Sequence, residues 1–585
     1  MKRGSPVRDF IQGALENLRL RTSQPDALTQ LAILSVIVGL VTGLVIVSFR
    51  LLIESVQLLF LPEGVPGNYE GLPVSVRILL PAAGALLIAL VFRIWAKGEH
   101  TVGVLHVMER LSYSQGHMPL RGLVMQYVGA ALAIISGQSL GREGPSIHLG
   151  AATGSTLGQR LGLPNNTIRT LVACGTAAGI GASFNTPLAG VIFALEVVMM
   201  EYTLASFLPV TLAAVSATAV SRAVFGSAAA FSVPSFQFST LLELPYVILL
   251  GVATGFVAFV FIYLTKISSR AGKNLPMWLK FLIAGSITGG LAVFAPQIMG
   301  IGYDTASEIL VSNIGITLLV MILAAKLVAT ACSVGLGLPA GLIGPTFIIG
   351  ACFGGIMGML AQPLFPGLAS SPGMYALIGM GAMMGATLQA PLAALTAVFE
   401  LTSNPNVILP GMLAIVTAEL TANHLLGQQS IYRTLMRLRG MDYRHNPMEQ
   451  ALRRVGVATI MNLNTESSMQ VITPEQGDRL AAPGIEWIVI ENDDPVILPA
   501  TDLQNYLMEI RNTGSPVSEI DLMEIPAKRL QAGYIDMRAT LDTAREQFSN
   551  ENIEALCIRS TDATPGTTRI YGVLTCQHFK NLYSV

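Results

Sequence analysis

The chain has 585 residues, 52% of them hydrophobic and only 12% charged, about half the charged share usual in a soluble domain, so most of it belongs in lipid. A net charge of -1 argues against a nucleic-acid partner. Five cysteines without metal-ligand spacing imply neither a disulfide framework nor a zinc site.

Residues 1–28 carry Lys2, Arg3, Arg8, Arg19 and Arg21 and no apolar run ending in a small-residue cleavage site, so they read as a cytoplasmic segment rather than a removed leader. Apolar runs come next at Leu31 to Leu52, Ile78 to Trp95, Leu241 to Leu264 and Ile314 to Val334, each near the ~20 residues that span the hydrocarbon core. Leu171 to Ile180 and Met374 to Leu388 are shorter and interrupted by glycine, which suits partial helices whose ends lie inside protein. The stretch holding His106 and His117 reads as a polar loop with solvated histidines.

Gly141-Arg142-Glu143-Gly144-Pro145 then opens a new apolar segment. A carboxylate at membrane depth costs roughly 2.5 to 3.5 kcal/mol on insertion scales, so Glu143 is the first functional candidate. Its alternative is a structural carboxylate paired with Arg142. His148, further along the same helix, reads as a neutral packing or hydrogen-bonding residue, with titration near neutral pH as the second reading.

The chain then repeats itself. Gly144-Pro145, Gly150-Ala151 and Gly154 are answered 200 positions later by Gly344-Pro345, Gly350-Ala351 and Gly354. Gly175, Gly181, Pro187-Leu188-Ala189 and Glu196 return 204 positions later as Gly379, Gly385, Pro391-Leu392-Ala393 and Glu400. Duplicated halves with discontinuous helices point to a transport site at the repeat interface. Proline at a helix start costs little, because the amide it removes has no partner there. Such starts present unpaired N–H groups and about half a positive charge. Two of them face to face, Gly141 to Pro145 and Gly341 to Pro345, would cradle one anion, with Tyr432 as a third donor or, alternatively, an interfacial tyrosine. Glu196, matched by Glu400, reads as a backbone cap, with a proton role as its alternative.

Arg433, Arg437, Arg439, Arg444, Arg453 and Arg454 crowd the end of the last apolar run, which puts both termini in the cytoplasm and the number of crossings at an even value. In the tail, Glu486 to Ile490 and Val496 to Leu503 read strand, turn, strand, helix. Ala555 to Ile558 and Tyr571 to Thr575 give the same pattern with the helix after them.

Gly141 to Pro145 resembles the signature of the CLC chloride channels and anion/proton exchangers. Gly341 to Pro345, Asn185-Thr186-Pro187-Leu188-Ala189-Gly190 and Ser430-Ile431-Tyr432-Arg433 are similar to further motifs of that family. The resemblance covers roughly residues 30 to 440. It implies an all-α polytopic membrane domain over 29–440, built from two inverted repeats, and a homodimer in a bacterial inner membrane. Glu143 would be the gate that competes with chloride and takes a proton. Gly141, Arg142, Gly144, the amides of Leu342 and Ile343, and the Tyr432 hydroxyl would hold the anion.

Two departures stand out. The first anion motif falls on Thr101-Val102-Gly103-Val104-Leu105, where Val102 offers its backbone only, leaving nitrate or bromide open beside chloride. The inner glutamate of many exchangers falls on Val197, as in channel members, which leans the reading toward a channel, although some exchangers of the family also lack this glutamate and the mechanism stays open between the two. Residues 441–585 resemble an α/β pair of CBS modules. Asp502 fits the place of a ribose-binding acid for an adenine nucleotide in the first module, whereas Gln577-His578 occupies it in the second. No catalytic triad or phosphate-binding Gly-x-x-x-x-Gly-Lys loop suggests an enzyme, and no resident cofactor is expected. A sensor with a vestigial transport core is the alternative, disfavoured by the intact motif glycines.

Overall fold

The computed structural model describes residues 15–24, 27–95, 102–228, 231, 238, 240–441, 447–513, 517–551, 553–560 and 569–583. It divides into a helical unit, Ala32–Leu157 with Arg169–Tyr443, and a second unit formed by Met1–Leu31, Gly158–Ile168 and Arg444–Val585.

In the helical unit, α1 (Leu28–Phe60), α2 (Val74–Trp95), α3 (Val104–Tyr113), α4 (Leu120–Ile135), α5 (Glu143–Arg160), α6 (Asn165–Phe184), α7 (Pro187–Phe193) and α8 (Leu204–Phe225) form the first series. The second runs in the same order: α9 (Leu244–Ala271), α10 (Met277–Leu291), α11 (Tyr303–Leu310), α12 (Ile316–Gly335), α13 (Ile343–Leu364), α14 (Pro372–Leu388), α15 (Pro391–Thr402) and α16 (Ile408–Leu420). A short α17 (Ile431–Leu438) closes the unit. Among the described residues, seven helical stretches are long and apolar enough to cross a membrane, and four apolar helices are shorter.

The segments expected to break at glycine do not. α6 and α14 are continuous helices. Their glycines serve helix contact instead: a methyl added at Gly175 would lie 2.0 Å from the Gly150 carbonyl oxygen, and one at Gly379 would lie 2.3 Å from that of Gly350. Small residues let backbones approach this closely where lipid offers no hydrophobic drive between helices. α5 therefore packs on α6 as α13 packs on α14.

The two halves also cap each other. Proline starts α7 and α15, and the amides just after it need acceptors. Leu188 and Ala189 donate to Glu400 at 3.0 and 2.7 Å, and Leu392 and Ala393 donate to Glu196 at 3.3 and 2.7 Å. Each carboxylate thus ends the helix start of the opposite half. Glu196→Ala or Glu400→Ala should each lower stability by about 1 kcal/mol, read as a lower melting temperature of the extracted protein.

In the second unit, β1 (Thr465–Ser468), β3 (Trp487–Ile490), β4 (Val496–Pro499), β6 (Leu530–Asp536), β7 (Ala555–Arg559) and β8 (Ile570–Thr575) form one six-stranded sheet in the order β1-β3-β4-β6-β7-β8, and β2 (Val471–Ile472) pairs with β5 (Ile520–Asp521). Helices α18 (Ala500–Thr513) and α19 (Cys576–Tyr583) come directly after the β3–β4 and β7–β8 hairpins. Residues remote in sequence complete this unit. The Ser23 carbonyl accepts from Gly456 N, from the Thr459 hydroxyl at 2.9 Å and from Asn166 Nδ2 at 3.2 Å, and Asn165 N donates to the Arg538 carbonyl at 3.0 Å.

Candidate anion site

The two proline-marked helix starts meet. Gly141 N donates to the Gly341 carbonyl at 2.7 Å and Gly341 N to the Gly141 carbonyl at 2.8 Å, an antiparallel bridge between the halves. Gly144 packs against the same backbone, since a methyl on it would lie 2.9 Å from Gly341 Cα. α5 and α13 consequently start from one shared point, with their first amides lacking intrahelical partners.

Glu143 lies across this bridge and is 3% exposed. Methyl groups added at Gly341 and Gly344 would sit 3.0 Å from its Oε2 and 2.6 Å from its Oε1, so the carboxylate rests directly on the glycine backbone of the second half. Oε1 accepts from the Tyr303 hydroxyl at 3.0 Å, and Oε2 is buried without a hydrogen-bond partner. Arg142 is turned elsewhere: its guanidinium carbon stands 5.0 Å from the Phe184 ring centroid and 5.4 Å from that of Tyr303. Helix starts attract negative charge, and protonation would remove the charge that this carboxylate brings to them.

The remaining candidates fall around this point. Leu342 and Ile343 are buried at the start of α13. Ile343 lines, with Glu143, Phe193, Phe347 and Met384, an apolar chamber of about 30 Å³. Tyr432 is 4% exposed on α17. Val102 precedes α3, and its side chain packs against the apolar cluster of Leu140 and Leu338. On the other side, Arg50, Glu54, Arg142, Asn185, Tyr303 and Asp304 line an open cavity of about 330 Å³.

His106 corrects the sequence reading. It lies inside α3 rather than in a solvated loop, is 2% exposed, and its Nδ1 sits 2.8 Å from Nε2 of the fully buried His148. The apolar run Val104, Leu105, Val107, Met108 and Leu111 carries α3 into the core and takes the histidine with it. Arg110 donates to His106 Nε2 at 3.0 Å, which leaves the proton on Nδ1 and makes His148 Nε2 the acceptor. His117 stays in the turn after α3, half-buried, with Nδ1 3.2 Å from the Ser114 carbonyl.

Tyr303 and Lys326 were not singled out from the sequence. Tyr303 begins α11 after Gly302, whose φ of 82° is the left-handed conformation that glycine adopts freely. Lys326, fully buried on α12, donates to the carbonyls of Ile298 and Gly300 at 3.0 and 3.3 Å, tying down the loop that delivers Tyr303.

In the tail, Asp502 sits in the first turn of α18, where its carboxylate accepts from the Lys528 amide at 2.9 Å. A cavity of about 580 Å³ between the β3–β4 and β7–β8 modules is lined by Trp487, Lys528, Thr575, Gln577 and Lys580, with Asp502 outside the lining.

The family model described as voltage gated chloride channel matches residues 84–423. A putative chloride channel protein ClcB-like from Ralstonia nicotianae is 34% identical over 412 residues, covering 69% of this chain and 96% of the relative. An H(+)/Cl(-) exchange transporter ClcA from Vibrio parahaemolyticus is 34% identical over 327 residues, covering 54% of this chain and 69% of the relative. Among solved structures, a slow cyanobacterial Cl-/H+ antiporter superposes with a TM-score of 0.62 at 25% identity, over 70% of this chain and 97% of its own. A eukaryotic CLC transporter shares the fold over 94% of this chain and 97% of its own, with a TM-score of 0.61 at 18% identity.

Proposed function

Because the chain belongs to the voltage-gated chloride channel family, we propose that it carries chloride across a membrane in exchange for protons, with Glu143 as the gate of the anion pathway. The observation that carries this reading is the Gly141–Gly341 bridge with the Glu143 carboxylate seated on it: the site is built for one negative charge, and this one is on a side chain that a proton can neutralise. Removing that charge frees the seat for chloride, which would lie among the amides of Leu342 and Ile343 and the hydroxyl of Tyr432. Arg142 supplies positive potential at the mouth of the outer cavity.

Exchange is favoured over passive conduction by the relatives, among which chloride/proton exchange transporters are named. Val197 at the inner position offers no carboxylate, so protons reach Glu143 without a glutamate at that place. Purified protein in chloride-loaded vesicles tests both halves of the reading. Chloride release on collapse of the membrane potential is expected, together with proton movement driven uphill by the chloride gradient. Chloride release without proton movement would make the protein a channel, and neither flux would refute anion transport.

Several further features belong to the same reading. The arginines between Arg433 and Arg454 favour a cytoplasmic tail, and the bacterial relatives favour the inner membrane. A homodimer with one complete pathway per subunit fits a site whose bridge and gate come from a single chain. The tail is read as a CBS-like pair. Its cavity, with Lys528 and Lys580 on the lining, suits an adenine nucleotide's phosphates better than Asp502 suits the ribose.

A further inference from the structure

Tyr303 meets the gate from the side of the outer cavity. Its hydroxyl reaches Glu143 Oε1 at 3.0 Å, and this is the side-chain hydrogen bond that the seated carboxylate receives among the described residues. The ring is fixed on several sides: Phe231 stands at 5.3 Å and Phe184 at 6.1 Å between centroids, both edge-on, and the Arg142 guanidinium covers it at 5.4 Å. The loop before it is tied to Gly137 by the Gly300 amide and to Lys326 by two carbonyls. The phenol therefore stays where it is when the gate leaves.

From this geometry we propose that Tyr303 is a positioning residue for the gate, a fixed hydroxyl that latches Glu143 only while the carboxylate is ionised and seated. The inference rests on the exchange reading and names a part of its machinery. A phenol O–H donates strongly to a carboxylate and weakly to a protonated acid, so the latch holds the closed, charged state and releases the neutral one. It sets how much acid is needed to open the gate. The aromatic ring meanwhile lines the outer cavity, where Glu143 does not, and so stands between the carboxylate and that space.

Removing the hydroxyl should therefore make the carboxylate easier to protonate. In chloride-efflux assays, Tyr303→Phe should move the pH of half-maximal flux upward by about one unit, the scale of one hydrogen bond to a charged group. Other charges stand around this place: Arg142 on the gate helix, Arg50 and Glu54 on α1 and Asp304 beside Tyr303 line the cavity, Lys326 on α12 lies against Gly302, and Glu70 follows the cavity residue Tyr69 in the loop after α1. Glu70, pushed up to about 7 by burial and by the nearby carboxylates of Asp304 and Glu308, titrates in the same window. Repeating the substitution in a Glu143→Gln background separates these contributions, because the latch acts on Glu143 alone.

The upward shift in the native background, absent in the Glu143→Gln background, is the expected result. An unchanged midpoint, or the same shift in both backgrounds, would overturn the latch while leaving anion transport standing. Absence of chloride efflux from the unmodified protein would instead overturn the transport reading and the latch with it. Should Tyr303→Phe not be recovered folded, incorporation of 3-fluorotyrosine at 303 replaces it as the test. This stronger donor of nearly the same size should move the midpoint downward, and a midpoint that stays put would equally end the proposal.

Discussion

Glu143→Gln should abolish proton movement, by more than tenfold to the level of empty vesicles, while chloride continues to flow. Glutamine fills the same volume, but it cannot be ionised, so it resembles the protonated acid at every pH. The sign comes from the seat: in the native protein the charged carboxylate occupies the anion position, and acid opens the gate by neutralising it. Chloride flux in the native protein should rise as pH falls. In Glu143→Gln it should stay flat at the acid level, with no dependence on pH left to titrate. Chloride and pH electrodes on the same vesicle suspension measure both. Persistent uphill proton transport in the variant would show that another group carries the proton, and the His106–His148 pair would then be the next group to replace.

The second large effect is on folding. Gly150→Ala places a methyl 1.9 Å from the Gly175 carbonyl oxygen, a contact that can be relieved only by separating α5 from α6. The neighbouring contact is equally tight, since a methyl on Gly154 would fall 2.1 Å from the Leu171 carbonyl oxygen. No rotamer is available to relieve the clash, because a methyl has none and the obstacle is backbone. A cost of about 3 kcal/mol or more is expected, enough to remove much of the margin of an ordinary domain. Size-exclusion profiles after extraction should show aggregation for Gly150→Ala, and for Gly350→Ala at the matching place, where the methyl would stand 2.3 Å from the Gly379 carbonyl oxygen. Gly290→Ala, which meets nothing within 4 Å, is the control that should leave the profile unchanged.

Much of this architecture is legible in the sequence because it is written twice. Glycine, proline and glutamate recurring 200 or 204 positions apart announce two related halves, and Gly-Pro at each helix start announces an electropositive end aimed at something. Spacing alone does not say whether the two ends touch; that depends on the Gly141–Gly341 bridge, a contact between positions 200 apart in the chain. The glycines in α6 and α14 mislead for a related reason: glycine lowers helix propensity in water, yet here it marks where another helix comes closest. His106 misleads because polar neighbours, Glu109, Arg110 and Ser112, mask an amphipathic helix whose other face is buried. Tyr303 goes unnoticed although the repeat points toward it. Gly103 and Gly302 both stand before a short helix at φ 82°, so carrying the duplication one motif further back leads to the residue beside the gate.

The reciprocal contacts between the halves have an implication for origins. Glu196 serves the helix start of the second half as Glu400 serves that of the first, and the Gly141–Gly341 bridge gives and receives one bond on each side. Contacts of this self-complementary kind are what a two-fold pair of identical subunits makes. A precursor gene of half the length, its product inserted in both orientations, could satisfy every one of them with a single glutamate and a single glycine. Fusion would then have freed the two copies to diverge, leaving the ionisable gate on one side of the axis and Ile343 at its counterpart on the other.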